Sequence, residues 1–396
     1  MPSYGKEFQE IGHCGGQFTI SVKTAENGHR SVQFGWHHSR PNPAAIFAVY
    51  ALPQGIPVGI IQLGGIGQPW NPAPTAGCWP IFIASDSLGM FGHYCQNCGG
   101  YWRSDATPSR WKTTCPYCGF HAESHAFLTE GQIKYIEACT ELIEKALTGD
   151  EDGEFALDMD QVADMVGKSC EKPKFYYVEE SQQNKYKCPS CGANNDILGR
   201  YGYCSSCGTH NGLHELELDI TSIREKTSTG QHLETCCKDA VGAFDSFARQ
   251  IAKQLALRIP MTSSRKNHWE RKLFHNLRLC ADDLAAVFDI NVFKGLKPDD
   301  ISFAILMFHR RHVYEHNGGE VDEKYIRDSG DTSVRVKQVI RESPESASRI
   351  AEIVLTIAGN IHHGFHEIFP PEDMPISFHV GRSKRVKKAS ERSDVP

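Results

Sequence analysis

The chain has 396 residues, 40% of them hydrophobic, and a formal net charge of −6. That length allows about two to four domains, each with its own core, and the acidic balance excludes a wholesale nucleic-acid coat protein, so such a partner would be held by local basic patches. The opening Met1-Pro2-Ser3-Tyr4-Gly5-Lys6-Glu7 lacks the basic start and apolar run of a signal peptide, so a cytoplasmic location is expected, and the fifteen cysteines read as thiols and metal ligands rather than disulfides.

Residues 1–92 read as a β-rich module, with short strands expected at 18–22 and 31–34. No charged residue lies between Arg40 and Asp86. The apolar runs 44–52 and 56–63 are broken by Pro53, Gln54, Gly55 and Pro57, and neither approaches the roughly 20 residues that a spanning helix needs. They predict two buried strands about a turn, with a third at 79–84 and no membrane segment. Trp36, His37, His38 and Trp70 are expected to cover a small core rather than line a ligand site.

Residues 93–148 read as a zinc ribbon followed by a helix. Cys95-x2-Cys98 and Cys115-x2-Cys118 are separated by 16 residues, and in a second ribbon, 186–222, Cys188-x2-Cys191 and Cys204-x2-Cys207 are separated by 12. Each pair supplies two thiolates from one tight turn, so each set of four suits a closed tetrahedral Zn2+ site, giving two structural zincs per chain. Gly99, Gly119, Gly192 and Gly208 follow the second cysteine of each pair, where the backbone must curl around the metal. Tyr94, Tyr101, Trp102, Arg103, Arg110, Trp111 and Lys112 either stack on nucleic-acid bases or pack the first ribbon's small core. His121, His125 and His210 follow the knuckles but are not needed as ligands. Cys14, Cys78, Cys139, Cys170, Cys236, Cys237 and Cys280 lack knuckle spacing and are expected as buried thiols.

Thr129 and Gln132 form a capping box for a helix bearing Ile133, Ile136, Cys139, Ile143 and Leu147, which is expected to pack on the first ribbon or the β module. The acids of 149–185, among them Asp150, Glu151, Asp152, Glu154 and Asp158, predict a solvated linker with a short helix. Leu216, Leu218 and Ile220 alternate with acids, which predicts a strand ending the second ribbon.

Residues 228–370 turn helical. Stripes from Leu233 to Leu255 and from Leu273 to Phe288, a helix starting at Pro298, and another near Pro344 with Ile350, Val354, Ile357, Ile361, Phe365 and Ile368 predict a four-helix bundle. The final segment, 371–396, carries Arg382, Lys384, Arg385, Lys387, Lys388 and Arg392 and reads as a basic disordered tail with nonspecific attraction to RNA.

Where the third helix meets a glycine turn stands Arg310-Arg311-His312-Val313-Tyr314-Glu315-His316-Asn317-Gly318-Gly319. Arg311-x4-His316, with the polar His312 after the Arg and Val321-Asp322-Glu323-Lys324-Tyr325 downstream, resembles the signature of HEPN domains, helical bundles found in many toxin and defence ribonucleases. The resemblance covers roughly residues 229–370. It implies a metal-independent endoribonuclease that cleaves RNA through the ribose 2′-hydroxyl, acting as a toxin or antiviral defence effector. His316 is the implied acid or base, Arg311 the phosphate-neutralising cation and His312 an orienting residue.

Arg311 and His316 are about 140° apart on a helix, so one helix aims them poorly at a single phosphate. The resemblance resolves this with a homodimer whose two helices face one cleft, and the reading also admits a regulatory protein partner. The bland alternative pairs Arg311 with Glu315 and leaves His316 at a helix terminus. The alternative function is a non-catalytic adaptor that binds RNA or a protein. For His362 and His366, an i, i+4 pair, the sequence leaves the role open.

Overall fold

The structure is a computed structural model and describes residues 7–8, 10–13, 16–38, 45–62, 73–85, 88–105, 112–149, 151–158, 161–162, 178–228, 230 and 232–393. Cys14, Trp70, Arg110, Trp111 and Cys170 lie outside them. The chain divides into two units, one formed by Met1–Thr209 with Glu372–Pro396, the other by His210–Pro371.

The first unit opens with β1 (Glu10–His13), β2 (Gly16–Thr24), β3 (Arg30–His38), β4 (Ile46–Ala51), β5 (Pro57–Gln62) and β6 (Trp79–Ala84). Antiparallel sheets β2–β3 and β5–β4–β6 confirm a β-rich N-terminal region. Phe18, Ile20 and Val22 face inward while their neighbours are only half-buried, as the period of two requires. The turn at 53–55 is closed by Gly55, whose φ is +79° and whose N–H donates to the Leu52 carbonyl.

Next come β7 (Phe91–Tyr94), β8 (Tyr101–Ser104), β9 (Thr113–Thr114), β10 (His121–Ala122) and helix α1 (Glu130–Thr148). The capping box of α1 is present with both reciprocal bonds. Its stripe of Ile136, Cys139 and Ile143 joins the core of Phe47, Val49, Ile81 and Ile83, so α1 packs on the β module. Each such buried aliphatic side chain contributes about 1.5–3 kcal/mol.

The described parts of the expected linker, 149–185, are chiefly strands instead, while residues 163–177 lie outside the described residues. β11 (Gly153–Asp158) pairs with β2 along its whole length, and β12 (Val178–Glu180) pairs with β1. Phe155 and Leu157 pack against the module core, so Glu154 and Asp158 mark the other face of an added strand rather than a solvated connector. Asp152 caps that register by accepting from both the backbone N–H and the hydroxyl of Thr24.

β13 (Asn184–Lys187) and β14 (Asn194–Ile197) complete this unit's sheets. The strand order β13–β14–β8–β7 joins both four-cysteine segments in one four-stranded sheet. Arg103 of β8 and Asp196 of β14, each fully buried, pair at 2.6 Å across that seam.

The second unit is helical: α2 (Gly212–Thr227), α3 (Leu233–Arg258), α4 (Ser263–Glu270), α5 (Leu277–Phe288), α6 (Pro298–His316), α7 (Glu323–Ser329) and α8 (Pro344–Ile368). Four of these match the expected stripes, and α2, α4 and α7 are additional. The strand predicted at 216–220 is instead part of α2. Leu216, Ile220 and Ile223 are buried at helical spacing while Leu218 is 52% exposed, so the i, i+4, i+7 stripe outweighs the short alternation. Leu273 is likewise exposed and precedes α5. α8 begins at a Ser343 capping box with Pro344 in its first turn and buries Ile350, Val354, Ile357, Ile361 and Phe365.

α9 (Asp373–Ser393) returns to the first unit and corrects the expectation of a disordered tail. Its start is anchored: the Glu372 N–H donates to the Cys207 carbonyl, Ile376 packs on the second cysteine cluster, and a side chain at Gly192 would strike the His379 ring.

Candidate metal centres and a histidine-lined groove

Cys95 and Cys98 sit in the turn between β7 and β8, Cys188 and Cys191 in the turn between β13 and β14. Every knuckle closes the same way. The N–H of Gly99, Gly119, Gly192 and Gly208 donates to the carbonyl of the first cysteine of its pair at 2.8–3.0 Å, which needs the left-handed conformation those glycines adopt, with φ between +69° and +74°. The second knuckles also bind each other, Thr114 to Ser205 and Tyr203 to Pro116, through backbone N–H···O bonds of 2.9 Å.

Cys95, Cys98, Cys115 and Cys118 converge in one group, and Cys188, Cys191, Cys204 and Cys207 in another. The Sγ–Sγ separations include 3.8 and 3.6 Å in the first group and 3.7 and 3.5 Å in the second. A metal–sulfur bond of about 2.3 Å in a tetrahedron places sulfurs about 3.8 Å apart, so both groups fit a closed four-thiolate ion site. Asn97 and Asn195 aim their amides at Cys118 and Cys204, the kind of outer contact that steadies thiolate ligands. His121 instead pairs with Glu372 at 3.0 Å.

For Tyr101, Trp102 and Arg103 the choice falls to packing, whereas Tyr94 is half-buried and Lys112 exposed. Tyr101, Trp102 and Arg103 are buried, and Trp102 stacks on His93 at 5.2 Å and meets Phe127 edge-on at 5.4 Å. Cys139, Cys236, Cys237 and Cys280 are buried thiols, and Cys78 is half-buried.

In the helical unit, α6 carries the Arg-His segment. Pro298 begins it, Asp299 and Asp300 occupy its first turn, and Gly318 and Gly319 stop it with φ of +59° and +90°. The two adjacent arginines have different tasks. Arg310, 13% exposed, bonds Asp331 at 3.1 Å and Glu342 at 3.0 Å, and its Nε donates to the Tyr325 hydroxyl. Burial pushes the Asp331 carboxyl up, but donors from Ser333, Tyr325 and Arg310 outweigh it and bring the group down to about 2. That network fixes α7 and the start of α8 on α6.

Arg311 meets Glu315 only at 3.9 Å, and Glu315 is shared at the same distance with Lys238 of α3. Loose, partly exposed pairs of this kind are worth about 0–1 kcal/mol, so the guanidinium can exchange this carboxylate for another anion. Arg311 lines two openings. One, of about 460 Å3, runs past Lys226, Lys238 and Glu315. The other, of about 340 Å3, is a groove lined by His275, His309, Arg311, His312 and Lys324, with Tyr325 and Asp328 at its wall.

His312 is exposed and its ring centroid lies 4.6 Å from that of the exposed His316. Partial burial, then the His316, Lys324 and Arg311 charges, hold His312 below the usual histidine range. Burial does the same to His309, opposed by Asp328. A proton-accepting imidazole and a guanidinium therefore share one groove.

His362 and His366 turn to the backbone. His362 Nε2 lies 2.9 Å from the His210 carbonyl, and His366 Nε2 accepts from the His210 N–H at 3.2 Å. His210 itself is buried and pushed down to about 3, first by that burial and then by His362. This trio secures the entry to α2.

His275 and Lys324 join the groove without a role assigned to them from sequence. His275 lies on the connector before α5, and nothing in its spacing relates it to the α6 motif. No protein-family model, curated protein or solved structure matches the chain. Among the described residues no helix is long and apolar enough to cross a membrane.

Proposed function

We propose that the helical unit is a metal-independent endoribonuclease acting through the ribose 2′-hydroxyl, and that each four-cysteine group holds one structural zinc. The observation that carries the nuclease reading is the division between Arg310, consumed by folding, and Arg311, which faces a groove beside His312. In this mechanism His312, which the sequence suggested only as an orienting residue, takes over the base role from His316 because it shares the groove with Arg311; its neutral imidazole takes the 2′-proton, the oxygen attacks the adjacent phosphorus, and the P–O5′ bond breaks. Arg311 neutralises charge developing on the phosphate oxygens, a task its forked donors suit. Positioned acid–base groups of this type are typically worth about 100- to 10,000-fold each.

The HEPN-like signature supports the same chemistry and adds a homodimer in which His316 serves the facing chain. The closed thiolate shells have no open position for a reacting water, which suits a folding role for zinc. A toxin or defence effector is the biological setting this reading favours.

Incubating the purified, zinc-retaining protein with total RNA tests it. The expected products carry 2′,3′-cyclic phosphate ends, 2′-deoxy substitution at the scissile position blocks cleavage, and EDTA has no effect while the zinc stays bound. Comparable cleavage of DNA, or activity that chelation removes and Mg2+ restores, contradicts the mechanism. RNA binding without cleavage supports the non-catalytic adaptor.

A further inference from the structure

His275 stands between two anchored residues of the connector. Before it, Phe274 is 1% exposed and its N–H donates to Asp245 Oδ1 at 2.9 Å. After it, Asn276 caps α5 by accepting from the Leu279 N–H. Both neighbours are pinned, so the backbone at 275 has little freedom while its side chain, 42% exposed, projects into the groove.

The ring also has a partner of its own. Asp245 of α3, only 10% exposed, places Oδ2 3.6 Å from His275 Nε2 and shares that oxygen with Arg249 at 3.7 Å. A nearly buried carboxylate stands on the Nε2 side at ion-pair rather than hydrogen-bond distance, which leaves Nδ1 as the nitrogen for transfer. The rest of the groove offers His309, Arg311, His312 and Lys324.

Resting on the ribonuclease reading but replacing the facing chain's His316 as the second histidine, we infer that His275 is a second catalytic residue, the acid that completes the site within a single chain. His312 accepts the proton from the 2′-hydroxyl as the 2′-oxygen bonds to phosphorus. His275, as imidazolium, gives its proton to the departing 5′-oxygen. The products are a 2′,3′-cyclic phosphate and a 5′-hydroxyl, and one proton has moved from His312 to His275 through solvent when the enzyme resets.

The test compares His275→Ala and His275→Gln with wild type on two substrates: an RNA dinucleotide, and a uridine 3′-phosphate ester with a p-nitrophenyl leaving group that needs no acid. Both variants should lose about 100- to 10,000-fold in kcat on the dinucleotide, with KM nearly unchanged, and keep near wild-type rates on the activated ester. Mixing His275→Ala chains with His312→Ala chains should restore nothing beyond either variant alone. An active wild type whose His275 variants cleave the dinucleotide normally, or full recovery on mixing, overturns this inference and leaves the ribonuclease reading standing. A wild type that cleaves neither substrate overturns both.

Discussion

The cysteine groups and the groove are built on opposite plans. Each knuckle is local, four residues whose turn geometry is dictated by a glycine of positive φ, and its thiols close on one another. The groove is assembled from α6, the connector before α5 and the segment at α7, and it stays open. Closed local shells carry folding energy; open assembled ones can carry chemistry.

The strongest way to press that contrast is to break a shell. Replacing Cys188 and Cys191 together by Ser should remove one of two zincs per chain and unfold the second group, because a structural zinc contributes on the order of 10 kcal/mol to such a module. Elemental analysis beside thermal melting reads both effects. Wild-type protein that folds with no bound metal contradicts the zinc assignment.

Next in size is the pair of arginines. Arg310→Ala leaves Asp331 and Glu342, 3% and 2% exposed, without their cation, and should cost about 3–5 kcal/mol in denaturant unfolding. Arg311→Ala should cost no more than about 1 kcal/mol and act on cleavage instead. Equal destabilisation by both would erase the distinction between a folding and a working arginine.

Acid should weaken both units. Burial pushes His93 down to about 4, against a hydrogen bond with Ser104, and His210 down to about 3. The folded chain keeps both neutral while the unfolded chain protonates them below about pH 6.5, so their contribution is present above that pH and lost as it falls toward 4 and 3. The loss is roughly 3–5 kcal/mol for each when complete. His93→Phe should flatten the dependence in the first unit, and an unchanged slope would show that His93 is not its source.

The smallest effect separates the helix from the strand that the sequence suggested. Leu216→Ala should cost about 2–5 kcal/mol, whereas Leu218→Ala, at a half-exposed site, should stay within about 0.5 kcal/mol. Similar costs at both positions would contradict the helical face.

What the sequence disclosed follows from how far apart the cooperating residues lie. Knuckle cysteines, the Thr129–Gln132 box, the turn at 53–55 and the Pro298 and Pro344 starts are signals within a few residues, and all appear as read. The alternation of Leu216, Leu218 and Ile220 with Glu217 and Asp219 misled because its first and last apolar positions also lie on one helix face. Ile223 decides the matter only once its burial is known. The acids of 149–158 hid the inward Phe155 and Leu157, whose partner strand β2 lies more than a hundred residues away. The basic run of α9 likewise hid the Ile376 anchor. At the groove, Arg311 and His312 were legible as part of the Arg311-x4-His316 motif, whose His316 lies beside His312 rather than among the lining residues, but His275 and Asp245 come from separate segments and share no spacing with it.

The most direct measurement is RNA cleavage and melting temperature on the same preparations of wild type and His312→Ala. His312 acting as the base predicts a rate loss of about 100- to 10,000-fold with RNA binding and melting temperature essentially unchanged, since His312 is exposed and its ring contact is with another exposed histidine. Undiminished cleavage by folded His312→Ala, or a fall in melting temperature with no change in rate, would contradict it.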